Sequence, residues 1–531
     1  MLATRSKEQI SPRIYILWAP RSLVNILLTI IGYTTAEAMG FTILQTLTLA
    51  PYILLVLPVF WYLGRLILYY TSPLQDIPGP VLARFSRSWL LREVWRGTMF
   101  TTNRDLHLRY GPIVRIAPNE FSIEDPSAVK MIYGVGTGFV KGPWYQTAAI
   151  PHQPNIFSTS DSQYHAAVRR PIASAYSTSH LVQLEQFVDN CISLLRTRFS
   201  GFVGSQEYID IGHWMQLFSL DAIGEISFGK RFGSIETGKD PQNLFSVLEE
   251  FLVYAARVGV YPELHSFLFK AKALLYPSAG DQAYIHKFAA AVAEARFDKV
   301  LSDDGISAMD SSSKLLAAHQ ANPDRVTKQD VIIGGIINVT AGTDTTSISL
   351  AAVIYHLWQN PRYLSKLRDE LKGASDPITF EQAKGIPYLE AVIKEALRVH
   401  PAAGLPMQRV VPQGGRTIAG RFFPAGTIVG INPWAAHSNR EVFGEDADVF
   451  NPERWLADPE IVKKRDAYFM TFGAGSRTCI GKNITHLEMI KLIPELVRNF
   501  DFEPEYSAPW KTMNVWFIKP VGWKCRIKAL K

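Results

Sequence analysis

The hydrophobic pattern changes character along the chain. Residues 41–64, FTILQTLTLAPYILLVLPVFWYLG, carry no charge and are long enough to cross a bilayer, which takes about 20 apolar residues in a helix. Trp61, Tyr62, Tyr69 and Tyr70 lie where interfacial aromatics belong. Pro51 and Pro58 are tolerated better in a membrane helix than in a soluble one. Upstream the flank holds only Glu37, whereas Arg65, Arg84 and Arg87 follow, so the remainder is expected on the cytosolic side. A shorter apolar run at residues 23–35 falls below a normal span; were it also to cross, the chain would pass the membrane twice. Then SPLQDIPGP, residues 72–80, fixes φ and removes backbone donors at three prolines, a stiff hinge that neither helix nor strand continues through.

Beyond the hinge the apolar spacing is mostly helical. Segments 181–199, 245–258, 285–301, 331–359 and 388–400 repeat at i, i+3, i+4. Asp330 is expected to cap the 331–359 helix and Asn360-Pro361 to end it. Two stretches read as strands. IVRIAPNEFSIED, residues 113–125, alternates around Pro118-Asn119, and Pro126 opens a helix. RTIAGRFFPAGTIVGIN, residues 416–432, reads as a second strand pair punctuated by Gly and Pro. The expectation is one large, mainly α body with small β-sheets over residues 81–531, following an N-terminal region 1–71.

Composition narrows this further. Of 531 residues, 47% are hydrophobic and 19% charged, ample for a large core and unlike a disordered chain. The net charge is +7, of which the first 75 residues supply +3, five basic against two acidic. The rest is too diffuse for nucleic acid, and no nucleic-acid partner is expected. Lys463, Lys464 and Arg465 form one local cluster, either a solvated patch or part of a docking face. Three cysteines, Cys191, Cys479 and Cys525, lie too far apart in sequence for a disulfide framework.

Candidate chemistry sits in four places. In the long helix, Asn338, Ala341, Gly342 and Thr345 share one stripe, and the centre NVTAGTDTTS has poor helix propensity. That stripe either packs another helix or leaves room for a ligand. In PYLEAVIKEALRVHP, Glu395 and Arg398 stand one turn apart, a pair that is weak when exposed. Arg454 follows in DVFNPERWL. In TFGAGSRTCIGKN, Cys479 lies among Gly473, Gly475 and Gly481 with Arg477 beside it, at the entry to a helix. A buried inert cysteine is the commonest fate of the residue, a nucleophile lacks a neighbouring base, and zinc lacks nearby partners. The bends let a bulky group approach, the helix N-terminus favours thiolate, and Arg477 suits an anion. A thiolate on iron, with a cofactor carboxylate on Arg477, would use all of these.

Phe472-x-x-Gly475-x-Arg477-x-Cys479-x-Gly481 resembles the haem-binding signature of the cytochrome P-450 superfamily. AGTDTT, residues 341–346, is similar to its oxygen-binding helix motif. Glu395-x-x-Arg398 with Arg454 resembles its Glu-Arg-Arg structural triad. The motifs stand in family order, and DAIGEISFGKRFG, residues 221–233, is most similar to filamentous-fungal, pisatin-demethylase-like members. The resemblance implies the P-450 fold and a haem-thiolate monooxygenase. It implies haem b held by Cys479 on iron, with Phe472 shielding the sulfur and the Gly475 and Gly481 bends fitting the loop to the ring. Arg477, His165, Arg169 and Arg409 would meet the haem carboxylates, although many members have tryptophan where His165 stands. Ala341 and Gly342 would line the dioxygen groove, with Asp344 and Thr345 handling protons. NADPH would act only through a cytochrome P-450 reductase, with cytochrome b5 as a second partner. The setting implied is the endoplasmic reticulum membrane, the catalytic domain facing the cytosol. A lipophilic small molecule of fungal secondary metabolism is the expected substrate, contacted by residues 144–160, 402–407 and a turn near Met513. The competing readings are a detoxifying, demethylating oxidase and a haem-binding protein without turnover.

Overall fold

The computed structural model describes residues 56, 59–60, 62–275, 290–291, 294, 310–324, 326–505 and 510–530. The chain divides into two units, Met1–Ser72 and Pro73–Lys531. In the first, residues 62–70 are helical. The apolar run at 23–35 and most of that at 41–64 lie outside the described residues, as does nearly all of 285–301. No helix among the described residues is long and apolar enough to cross a membrane.

The second unit is mainly helical with small sheets. Strands β1 (Ile113–Ala117), β2 (Glu120–Ile123), β3 (Val140–Lys141), β5 (Arg409–Val410) and β8 (Ile428–Gly430) form one sheet in the order β1-β2-β8-β5-β3. The expected β1–β2 hairpin turns at Pro118-Asn119 with Ile113 opposite Ile123, and Pro126 opens the next helix, capped by Asp125. A second sheet joins β4 (Ile209–Asp210), β12 (Lys524–Ala529) and β9 (Phe500–Pro504). Two hairpins complete the β structure: β6 (Arg416–Ile418) with β7 (Arg421–Phe423), and β10 (Lys511–Asn514) with β11 (Ile518–Val521).

Residues 416–432 therefore hold three strands, not the expected pair. Ala419 and Gly420 at positive φ close β6 on β7. Gly426, at φ +81, then turns the chain so that β8 runs beside β2 and β5. A Cβ on Gly430 would stand 3.2 Å from the Gln408 backbone nitrogen, which is why the pairing edge carries glycine there.

Five helices carry the site: α1 (Ser162–Ile172), α2 (Ile211–Phe228), α3 (Lys328–Gln359), α4 (Pro387–Val399) and α5 (Lys482–Asn499). The start of α3 corrects the sequence reading. Thr327 is the cap, accepting from the Asp330 N–H at 3.1 Å, while Asp330 accepts from the Thr327 N–H at 2.9 Å. This reciprocal box satisfies donors at both residues, so Asp330 is the third helical residue rather than the cap. The 181–199 segment is also divided: a short helix Thr178–Leu181 and a tight turn Val182–Leu184 precede Glu185–Phe202. Residues of α2, α3, α4 and α5 meet in the largest apolar core, which includes Ile223, Val339, Leu397 and Leu487.

Candidate functional site

The cysteine loop is shaped by two residues with positive φ, Gly473 at +68° and Gly475 at +66°. At Gly475 a side chain is excluded outright, since its Cβ would lie 1.7 Å from the Tyr133 carbonyl oxygen. The Cys479 N–H then closes the loop on the Phe472 carbonyl at 2.9 Å. Gly481 differs from expectation: at φ −82° it bends nothing that another residue could not. What glycine leaves there is space beside the sulfur, as a Cβ would stand 4.0 Å from Cys479 Sγ.

Cys479 is accessible while its sequence neighbours are half-buried, and the backbone N–H groups of Gly481 and Lys482 point at the thiol. Although the residue is accessible to solvent, the protein packed around it desolvates the thiol and pushes it up, while those N–H groups and Arg169 draw it back down. The helix start acts in the sense the sequence predicts, drawing the thiol down, and a metal cation on the sulfur would add to that stabilisation. Cys191 and Cys525 are buried and their thiols are pushed up by burial, as inert cysteines are.

Around this loop stands a group of basic side chains from separate elements. Arg169 of α1 donates to the Thr478 carbonyl at 2.8 Å. Arg477 donates through Nη2 to the Asp161 carbonyl at 3.3 Å, and its buried Nη1 has no hydrogen-bond partner. Arg409 donates to the Gln408 carbonyl at 2.8 Å and lies 4.8 Å above the Tyr133 ring. His165 is buried, and that burial, with Arg477, Arg169, Lys141 and Arg409 nearby, pushes it down to about 4, so it stands neutral. Burial and the neighbouring Arg409 and Arg169 push Arg477 down to about 10. The charges thus repel one another, and Asp161, the carboxylate felt by Arg477, already caps α1.

Sequence reasoning missed one member. Lys141, 7% exposed, donates to the Phe157 carbonyl and lies 4.3 Å from the Tyr145 ring centre. Its ammonium is held well below the lysine range by burial and by Arg409, Arg477 and Arg169. A lysine at the inward position of a two-residue strand, in FVKGPWY, was the available signal.

On α3, whose Thr346 hydroxyl lies 3.0 Å from that of Thr485 near the start of α5, Ala341 is exposed between buried Val339 and Thr343, so this part of the helix faces open space. Thr345 Oγ1 donates to the Ala341 carbonyl at 2.7 Å, leaving its lone pairs free to accept. Two other stripe members turn to packing. Asn338 accepts from the Tyr176 hydroxyl at 2.7 Å and donates to Ser227 at 3.2 Å. Gly342 lies against α2, where a Cβ would be 3.1 Å from Ile223 Cγ1. Asp344 is fully buried, accepting from Gln216 Nε2 at 2.6 Å and pairing with Lys519 Nζ at 2.9 Å.

The Glu395, Arg398 and Arg454 side chains do meet, and they are buried rather than an exposed pair. Glu395 accepts from Arg398 at 2.7 and 2.9 Å, from Arg454 at 3.3 Å and from Trp455 at 2.8 Å. Arg398 also donates to the carbonyls of His437, Ala447 and Val449. His437 Nε2 in turn accepts the Met470 N–H at 2.8 Å, which ties this network to the residue before the cysteine loop. The Lys463–Arg465 cluster is divided between surface and interior. Lys463 pairs with Glu460, and half-buried Arg465 donates to the Val442 and Arg454 carbonyls. A surface cavity of about 570 Å³, lined by Trp95, Glu250, Tyr254, Arg257 and Lys272 among others, contains none of the site residues.

The chain matches the sequence profile described as Cytochrome P450 over residues 78–522. It is 36% identical to a pisatin demethylase of Fusarium vanettenii, covering 92% of this chain and 94% of that one. It is 35% identical to cytochrome P450 monooxygenase cicH of Emericella nidulans, covering 90% and 97%. Its fold is similar to the crystal structure of a cytochrome P450 (CYP102L1), with a TM-score of 0.72 at 21% identity over 86% of this chain and 99% of the other.

Proposed function

The chain belongs to the cytochrome P450 family and is a haem-thiolate monooxygenase supplied with electrons by a reductase, and from that premise we propose that it oxidises a lipophilic small molecule of fungal secondary metabolism. The observation that carries the site assignment is the cluster of Arg169, Arg409, Arg477 and Lys141 beside Cys479, whose hydrogen bonds among the described residues go to backbone carbonyls and not to carboxylates. The unpartnered Arg477 Nη1 is a donor awaiting an acceptor. These groups fit a flat anionic ligand whose carboxylates meet the cations while its iron takes the sulfur.

Cys479 is the iron ligand, and the Gly481 and Lys482 N–H groups share its negative charge. Arg169, Arg409, Arg477 and Lys141 hold the carboxylates, and His165 donates an N–H. The haem, when bound, supplies the dioxygen activation and oxygen insertion. Thr345, its hydrogen committed to the Ala341 carbonyl, presents lone pairs to a donor on the open side of α3. Asp344, one residue earlier, is the carboxylate that passes protons toward that side. The Glu395 network fixes the loop entrance through His437 and Met470. Residues 41–64 anchor the chain in the endoplasmic reticulum membrane, and exposed Arg170 and Lys482, flanking the loop, face the reductase and cytochrome b5.

Oxidative demethylation is a second reading, favoured by relatives named pisatin demethylase at 36% and 37% identity. Formaldehyde release from a methoxyarene probe distinguishes it from hydroxylation. The ligand assignment is tested by Cys479→Ser. The reduced, carbon-monoxide-bound protein should show the red-shifted Soret band of thiolate ligation, and the variant should lose it; a variant that keeps the band removes Cys479 from the iron.

A further inference from the structure

Asp344 is an unusual residue to bury in the middle of a helix. Aspartate ranks low in helix propensity and is almost never fully buried unless paired. Its partners come from far away in sequence: Gln216 on α2 and Lys519 on β11. A buried ion pair is weak evidence for stability, because well-packed apolar residues often serve the fold as well or better. Stability alone therefore does not account for a charge pair one residue from Thr345.

The position of Lys519 is informative. It stands opposite Met513 in the β10–β11 hairpin, and its side chain is 15% exposed while Asp344 is not exposed at all. The hairpin is stitched to residues 402–404: the Gly404 N–H donates to the Trp516 carbonyl at 2.9 Å, and the Ile518 N–H to the Ala402 carbonyl at 2.8 Å. At its turn, Trp516 packs edge-on against Trp144 at 4.5 Å. Lys519 thus reaches Asp344 from a strand fixed against both segments expected to meet the substrate.

We propose that Lys519 is a positioning residue for Asp344: its ion pair, completed by Gln216, holds the carboxylate at one place in the wall of α3 beside Thr345. This rests on the reading of Asp344 as a proton-handling group. Lys519 touches neither substrate nor haem in this scheme and acts only through the carboxylate. Releasing it lets the carboxylate turn away, so proton supply beside Thr345 falls and more of the electrons drawn from NADPH leave as hydrogen peroxide.

The test uses the full chain loaded with haem and reconstituted with its reductase, with 7-ethoxycoumarin as a lipophilic probe at fixed concentration. The readouts are the fraction of NADPH electrons recovered as hydrogen peroxide and the solvent deuterium isotope effect on NADPH oxidation. Haem content and the carbon-monoxide band serve as fold controls. Lys519→Met should raise the peroxide fraction about threefold and change the isotope effect, a smaller disturbance than removing a proton-transfer group outright. Lys519→Arg should restore both. Asp344→Asn should shift the same readouts, and adding Lys519→Met to it should change nothing more, because the pair acts as one unit.

If Lys519→Met matches the wild type while Asp344→Asn does not, the positioning role is refuted and the reading of Asp344 stands. If Asp344→Asn itself matches the wild type, that reading fails and the inference falls with it. Additive shifts in the double variant also overturn the proposal, since Lys519 would then act independently. Should Lys519→Met fail to take up haem because Asp344 is left unpaired, the charge-neutral pair Asp344→Asn with Lys519→Met is compared with Asp344→Asn. Equal readouts then support the positioning role, and a further shift overturns it.

Discussion

The Glu395 network and the cluster around Cys479 draw on the same residue types yet reach different ends. Around Glu395, two arginines are neutralised within the chain: both carboxylate oxygens are occupied, and spare guanidinium hydrogens go to backbone carbonyls. Around Cys479, three arginines and a lysine converge, and their hydrogen bonds go to carbonyls rather than carboxylates. Desolvation and mutual repulsion hold Arg477 and Lys141 below their ordinary ranges there, whereas Asp446, beside Arg454 at the rim of the first network, is held below the carboxylate range. Charge balanced within the chain marks a part that shapes the fold, and unbalanced charge marks a part that waits for a ligand.

Breaking the balanced region should have the largest effect. Glu395→Ala strands the buried Arg398 guanidinium, while Arg454 keeps Asp446 at 2.9 Å, and removing one member of a buried ion pair typically costs about 3–5 kcal/mol. Little folded protein should accumulate, and what does should lack the carbon-monoxide band of thiolate ligation. Wild-type yield and band together would refute the view of Glu395 as the internal counter-charge.

The unbalanced region should respond in the other direction. Arg477→Met removes one charge from a crowd of like charges, so the haem-free chain should unfold at an unchanged or higher temperature. The same change should weaken haem retention roughly ten- to a hundredfold, the worth of one charge-assisted hydrogen bond of about 1.5–3 kcal/mol. Thermal unfolding of the haem-free chain and haem transfer to apomyoglobin read the two effects separately. A haem-free chain that loses stability as sharply as Glu395→Ala would erase the contrast.

How much of this contrast was legible in the sequence follows from the range of each interaction. The loop at Cys479, the Glu395–Arg398 pair and the β1–β2 hairpin depend on neighbours within a few residues, and their spacing was enough. The start of α3 was misplaced by one turn because Thr327 and Asp330 are both good caps, and only geometry shows which accepts from which. Lys141 joins Arg477 from more than three hundred residues away, and Lys519 reaches Asp344 across a gap of 175 positions. No periodicity encodes such meetings. The path of β8 into the large sheet was hidden for the same reason: its partners β2 and β5 are chosen by the tertiary fold.

His437 lies between the two regions and gives the mildest test of their connection. Its carbonyl accepts from Arg398, its Nδ1 lies 2.9 Å from the Arg398 carbonyl, and its Nε2 accepts the Met470 N–H. That pattern requires the neutral ring with the hydrogen on Nδ1. Burial, with Arg398 beside it, pushes His437 down to about 3 from an ordinary 6.5. The folded state therefore holds fewer protons than the unfolded one between those values. The contribution of His437 is fully present above pH 6.5 and is lost as pH falls toward 3. At pH 5 the loss should be about 2 kcal/mol, since one pKa unit is worth about 1.4 kcal/mol. The stability of the whole protein is a poor readout, because Glu120 and Glu124, each raised by burial to about 7, work in the opposite sense. The difference between wild type and His437→Gln isolates the effect of the ring. Glutamine should be less stable at pH 7, lacking the second bond, but the gap should narrow by about 2 kcal/mol at pH 5, read by urea unfolding. Parallel stability curves from pH 7 to 5 would mean that the ring is not held neutral between Arg398 and Met470, and the link from the Glu395 network to the cysteine loop would have to run elsewhere.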